Sequence, residues 1–178
     1  MSFNDYVIIK VKDHSSNKEK ILSKIGENNY QYHHPEITDH YSNVSNTDWD
    51  SGRIFDWYNY SFSQADKEII CKVIQNHPTS HKGARINNSW FNQYEPNSGS
   101  EHPFHVHDEV DLVLIYFVEL NHLDLRTILI DPFTKEEVIP EVHEGDLLFF
   151  SSNILHRSPS NNTDTRKTVI SFNIDLIF

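Results

Sequence analysis

From residue 86 onward the apolar positions fall in short runs separated by clusters of Asn, Asp, Ser, Gly and Pro. The runs read INNSWFNQY, PFHVH, LVLIYFVEL, RTILID, EEVIP, DLLFF, NILHR and KTVISFNIDLIF, with breaks at 96–99, 108–111, 121–124, 131–134, 144–145, 151–153 and 158–164. Eight β-type segments punctuated in this way predict a sandwich or barrel, and eight strands in two sheets is the jelly-roll count. Upstream the texture differs. Residues 6–11 (YVIIKV) predict a short strand. SSNKEKILSKIGEN predicts a helix with Ser16 as cap, Ile21, Leu22 and Ile25 on its apolar face and Gly26 past its end. In a second helix, Ser63-x-x-Asp66 has the form of a capping box, Ile69, Ile70, Val73 and Ile74 recur at helical spacing, and His77-Pro78 closes the element. Residues 27–62 are polar and aromatic with weak periodicity and predict a long loop with short pieces of structure. No solenoid-period repeat is present. The pattern reads as a single mainly β domain over 1–178, with a helical and loop portion at 1–84 and a β core at 85–178.

Composition narrows the class. At 178 residues, 37% hydrophobic and 12% aromatic, the chain is long and apolar enough to bury a core. A formal charge of −11 argues against a nucleic-acid partner. The single cysteine, Cys71, excludes an internal disulfide and suits a reducing compartment. No apolar run is long enough to span a bilayer, and the first residues lack a signal-peptide pattern. The expectation is a soluble, cytoplasmic protein with no membrane partner.

The chemistry concentrates in EHPFHVHDEVDLVLIYF, residues 101–117. On a strand, residues i and i+2 share a face, so His105 and His107 point the same way. His102, just before Pro103, is expected outside the strand. A third donor has to come from far along the chain, and His156 in NILHRSPS fits, after the strand that Gly145 and Asp146 begin. Three imidazoles on one side would leave open positions on a metal, and a thiolate-free set suits iron, copper, nickel or zinc. Among 12 histidines some clustering arises by chance, and an H-x-H pair on a strand is more often partly exposed than metal-bound. His14, His33, His34, His40, His122 and His143 carry no such pattern.

Arg166 follows His156 by ten residues, in RKTVISFNI. Alternation puts Arg166, Thr168 and Ile170 on one face of that strand and Lys167, Val169 and Ser171 on the other. A guanidinium fork and a neighbouring hydroxyl can grip one carboxylate together, so Arg166 and Thr168 are the candidate anion site. A surface arginine at a turn-to-strand junction is the plainer alternative; the late histidine ten residues earlier is what favours the anion site.

With these pieces in place, the sequence resembles the Fe(II)- and 2-oxoglutarate-dependent oxygenases, and within them a group of small bacterial and phage-type proteins with an H-x-H motif. The resemblance rests on SWFNQY (Trp90, Asn92, Tyr94), HVH (His105, His107), LVLIYF, EGDLLFFSSNILH (to His156) and RKTVISFN (Arg166 to Asn173), and covers roughly residues 85–175. It implies a double-stranded β-helix, a jelly roll, with the N-terminal helices packed on one sheet. It further implies iron on His105, His107 and His156, and 2-oxoglutarate chelating that iron with its far carboxylate on Arg166 and Thr168. Tyr94 would stand near the oxoacid or serve as a core aromatic. Asn92 and Asn173 would line the cavity or be satisfied strand residues. The implied reaction is a dioxygenation by O2, with release of succinate and CO2, of a small molecule or a protein side chain.

The wider group uses two imidazoles and a carboxylate, and this chain has His107 where the acid normally stands. Three arrangements are open: His107 is itself a ligand, the favoured one; the register shifts so that His107-x-Glu109 is the motif; or Asp108 swings in. Two other functions also remain open. One is a cupin-like jelly roll that holds a metal but does not use 2-oxoglutarate, and the other is a metal-free binding module. In DWDSGRIFDWYNYSF, Trp49, Trp57 and Tyr60 are candidate lid or stacking residues, and the turn at 121–124 is a candidate rim.

Overall fold

The computed structural model describes residues 6–27, 43–49 and 55–178. Most of the unpatterned 27–62 stretch, including His33, His34, His40 and Arg53, therefore lies outside the described residues. The elements run β1 (Tyr6–Lys10), α1 (His14–Glu27), β2 (Asn46–Thr47), α2 (Trp57–Ser61), α3 (Gln64–Gln75), β3 (Gly83–Tyr94), β4 (His102–His105), β5 (Leu112–Leu120), a 3-10 turn (Leu123–Leu125), β6 (Ile128–Ile130), β7 (Glu137–Val138), β8 (Asp146–Ser151), β9 (His156–Ser158) and β10 (Lys167–Ile177). All eight expected segments after residue 82 form strands. They sort into a six-stranded sheet, β1-β8-β5-β10-β3-β2, and a four-stranded sheet, β4-β9-β6-β7, with antiparallel pairing throughout. This is the expected jelly roll. No helix among the described residues is long and apolar enough to cross a membrane.

The large sheet buries both faces, and its strands show why. β5, LVLIYFVEL, is buried along its whole length. Leu112, Leu114 and Tyr116 face one way, with Phe91, Leu147, Phe149, Ile170 and Phe172, and meet Ile21 and Ile25 of α1, Trp57 of α2 and Ile70 and Ile74 of α3. Val113, Ile115 and Phe117 face the other way, with Tyr94, Leu148, Phe150 and Val169, toward Leu129, Val142 and Ile154 on the small-sheet side. Each such side chain stabilises the fold by roughly 1.5–3 kcal/mol when fully buried. The helices thus cover the outer face, and the small sheet closes over the inner one.

The helix ends follow the sequence with two adjustments. Ser63 and Asp66 form the full capping box of α3. In α1 the helix starts at His14, before Ser16, whose hydroxyl donates to the Asp13 carbonyl, and Gly26 lies inside the last turn. Gly145 precedes β8 with φ +89, and a Cβ there would come within 2.8 Å of the His14 ring. Both the left-handed backbone and the close approach demand glycine.

Candidate metal and anion site

Two bulges set the geometry of the site. β4 pairs with β9 at His102–Ser158 and again at His105–His156, so three steps on β4 oppose two on β9. The extra residue puts His102 and His105 on one face despite their odd spacing. Pro103 belongs in such a place, on an edge strand that bulges. His102 is therefore inside the strand, contrary to the expectation, and its ring stacks on that of His105 with centroids 3.9 Å apart and planes 9° apart. The second bulge lies on β5. Thr168 opposes Glu119 while Val169 opposes Phe117, leaving Val118 as the extra residue. Glu119 is thereby turned to the helix side of the sheet.

The structure brings His105, His107 and His156 together, with their candidate ligand atoms all within 4.8 Å of one another. His105 and His156 face each other across the β4–β9 ladder. His107 lies just past β4, held by its backbone N–H on the Ser152 carbonyl at 3.0 Å. Asp108 and Glu109 are exposed beyond it and are not in the group. Of the three arrangements the sequence left open, the geometry assembles the one with His107.

Each of the three imidazoles has its Nδ1 occupied. Nδ1 of His105 donates to the Pro103 carbonyl at 2.8 Å, that of His156 to the Ile154 carbonyl at 2.9 Å, and that of His107 to Asn173 Oδ1 at 2.6 Å. Carbonyl oxygens only accept, so the proton sits on Nδ1 and Nε2 carries the lone pair. The Nε2 atoms of His105 and His107 face each other at 3.2 Å. Two lone pairs at that distance repel unless a cation lies between them. About 3 Å is also the separation of adjacent donors around a metal with bonds of roughly 2.1 Å. Burial, reinforced by the neighbouring imidazoles, pushes His107 down to about 4 and His102 down to about 3 and holds His156 well below the usual histidine range. All stay neutral at pH 7, the form that binds metal.

The cavity around them is lined by Trp90, Asn92, Tyr94, Thr127, Ser158, Lys167 and Ser171, among others, and no carboxylate lines it among the described residues. Lys167 is 1% exposed. Its Nζ donates to Ser158 Oγ at 2.7 Å and lies 5.2 Å from the centre of the Tyr94 ring. Burial alone lowers its pKa to about 7. Tyr94 is buried beside it, with its hydroxyl pKa raised by burial and partly offset by a hydrogen bond to Ser158. Tyr94 both lines the cavity and belongs to the inner-face core. Asn173 contacts a histidine of the group, and Asn92 lines the cavity.

The expected partnership of Arg166 and Thr168 with the histidines does not form. Thr168 lies on the helix-side face of β10, and Arg166, just before the strand, joins it on that side. Arg166 Nε and NH2 donate to the two oxygens of Glu119 at 2.8 and 3.0 Å, and the Thr168 hydroxyl donates to the same carboxylate. Gln93 completes the group by donating to Thr168. The guanidinium fork grips a carboxylate as anticipated, but the carboxylate belongs to the chain. Alternation placed Lys167 on the opposite face, and that face looks into the cavity. The sequence reading separated the two faces correctly and took the wrong one.

The proposed lid aromatics also divide. Trp57 is fully buried, with its indole N–H on Asp48 at 2.7 Å, and Tyr60 packs edge-on against Phe55 and Trp57. Neither reaches the cavity, and the 121–124 turn does not line it. Trp49 is 51% exposed and meets Trp90 edge-on at 4.4 Å, and Trp90 stacks on His107 at 5.7 Å. Thr47 and Asp48 hold this segment to β3 through the carbonyl and N–H of Phe91.

No protein-family model matches the sequence, and no curated protein is similar to it. Solved structures are. The viral collagen prolyl hydroxylase of Paramecium Bursaria Chlorella virus-1, solved with 2OG, superposes with a TM-score of 0.66 at 12% identity over 99% of this chain and 98% of that one. A Pseudomonas putida prolyl-4-hydroxylase gives 0.65 at 11% identity over 97% and 93%. The prolyl hydroxylase of Trichoplax adhaerens, in complex with a hypoxia inducible factor peptide fragment, gives 0.57 at 13% over 97% and 84%. At these identities the likeness is one of fold: the chain has the double-stranded β-helix of the 2OG-Fe(II) oxygenases.

Proposed function

We propose that the protein is an Fe(II)- and 2-oxoglutarate-dependent oxygenase whose metal is held by His105, His107 and His156. One observation carries the reading. A cavity with three converging imidazole lone pairs also contains a buried ammonium, Lys167, with no carboxylate among the described residues to pair it. A buried unpaired cation is expensive and is kept where a ligand supplies the counter-charge. A dicarboxylate that reaches from the metal to Lys167 satisfies both features. Bound together, iron and oxoacid would supply the O2 activation. The chain's own residues do the rest. Pro103, Ile154 and Asn173 orient the ligand rings, Lys167 and Ser158 receive the far carboxylate, and Tyr94, Phe117 and Val169 keep that end dry. The substrate is a small molecule or a protein side chain entering past Trp90.

The three-histidine set itself favours a second reading. Without a carboxylate ligand it suits other metals equally well, as in a cupin-like protein that ignores the oxoacid. Anaerobic addition of Fe(II) and 2-oxoglutarate separates the two. A visible charge-transfer band is expected in the wild-type protein, together with succinate release under O2. A protein that binds metal but gives neither band nor succinate overturns the oxygenase reading.

A further inference from the structure

The inner face of β10 and the identity of residue 107 bear on what else the cavity accepts. Along β10 the inward row runs Lys167, Val169, Ser171, Asn173, opposite Tyr94, Asn92, Trp90 and Asn88 on β3. One end of the cavity is therefore Lys167 with Tyr94 and Ser158. The other is His107 with Asn173, Trp90 and Ser171. Lys167 is the only lysine among the lining residues, and Arg157 turns its guanidinium outward, onto the Phe104 ring and Glu137. An imidazole that gives its Nε2 lone pair to a metal is neutral, so among the described residues the cavity wall contributes one positive side-chain charge, Lys167, and no negative one.

On the reading given above, a divalent metal and the Lys167 ammonium together exceed the two charges of the oxoacid by one. A carboxylate among the ligands would cancel that excess. An imidazole at position 107 does not, and an uncompensated charge in a site walled by Val113, Ile115, Val169 and Trp90 costs free energy. The place for the missing negative charge is the His107 end, away from Lys167. A donor is available there: the Ser171 hydroxyl, which faces the cavity. Trp90, backed by the exposed Trp49, offers a flat apolar wall beside it.

We propose that the substrate is an acid, and that its carboxylate-class monoanion occupies the His107 end of the cavity and supplies the charge that a carboxylate ligand would otherwise provide. The proposal rests on the metal- and oxoacid-binding reading and sharpens it to a substrate class. It is tested on the Co(II)-loaded, 2-oxoglutarate-saturated protein, by calorimetry and by the Co(II) visible spectrum, with acetate and its uncharged isostere acetamide as probes. Acetate is expected to bind at least tenfold more tightly than acetamide, and Ser171→Ala, which leaves the three imidazoles and Lys167 in place, to weaken acetate at least threefold with Co(II) and oxoacid affinity unchanged. Equal affinity for the two probes in the wild-type protein overturns the proposal, as does undiminished acetate binding in a folded Ser171→Ala protein. Failure of the Co(II) protein to bind 2-oxoglutarate removes the oxygenase reading and this proposal with it. Normal oxoacid binding without preference for acetate removes this proposal alone.

Discussion

Arg166 and Lys167 are adjacent in the chain, carry the same charge, and lie on opposite faces of one sheet. Arg166 has its carboxylate within the protein. Glu119 accepts two parallel hydrogen bonds from it and a third from Thr168, and the pair raises the arginine's affinity for its proton. Lys167 is more deeply buried and, among the described residues, has a serine hydroxyl and two aromatic rings for company and no carboxylate. Its affinity for its proton falls. The two cations show how to tell a structural charge from one that awaits a ligand. The residue type and the strand are the same in kind; what differs is whether the fold has already provided the counter-charge.

The most severe way to break the inner face is His156→Ala. It removes the most buried of the three imidazoles from the centre of the small sheet. Metal affinity, followed by competition with a chelating dye, should fall well beyond the roughly ten- to hundredfold that losing only a hydrogen-bond partner of a ligand costs. Retention of one tightly bound metal per chain would show that the triad is not the site.

Lys167→Met separates stability from binding. The affinity for 2-oxoglutarate should drop by about 100-fold, the scale of a lost charge-assisted hydrogen bond of about 2–3 kcal/mol. The empty protein should become more stable, because a charge buried without a partner has been removed. The sign follows from linkage. The lysine's pKa is about 7 folded, against 10.5 when unperturbed, so between those values the unfolded chain binds more protons and stability rises with pH. The burial cost is full below about pH 7 and is relieved on approach to 10.5. The gain in melting temperature of Lys167→Met over wild type should therefore be largest at or below pH 7 and shrink as the pH rises. An unchanged difference across that range would contradict the assignment.

The outer pair should behave in the opposite way. Glu119→Gln breaks a half-buried, bidentate pair, and is expected to destabilise the protein by about 1–2 kcal/mol in urea melts. Oxoacid affinity should stay within about twofold, because Glu119 and its partners face the helix side. A loss of oxoacid binding comparable to that of Lys167→Met would return the anchor to Arg166 and Thr168.

Much of this arrangement could be read from the chain. The eight β segments, the Ser63 capping box, the shared face of His105 and His107, and the division of β10 into an Arg166–Thr168 face and a Lys167–Val169 face all follow from local periodicity and steric rules. His156 was reachable as a distant donor because a metal needs a third ligand. His102 was missed because a bulge reverses its parity, and only Pro103 hinted at one. Lys167 was missed for a different reason: a lysine beside an arginine in a strand gives no sign of which will be buried.

Which side chains share a face is written in the chain, since alternation along a strand is a property of a few consecutive residues. Which face meets the helices and which closes over the histidines is a matter of long-range packing. That choice depends on strands far apart in the chain. β9 must pair with β4 to bring His156 to His105, and the Val118 bulge must turn Glu119 to the helix side before Arg166 acquires its partner. Lys167 is left facing the cavity, with no carboxylate beside it among the described residues, for the same non-local reason.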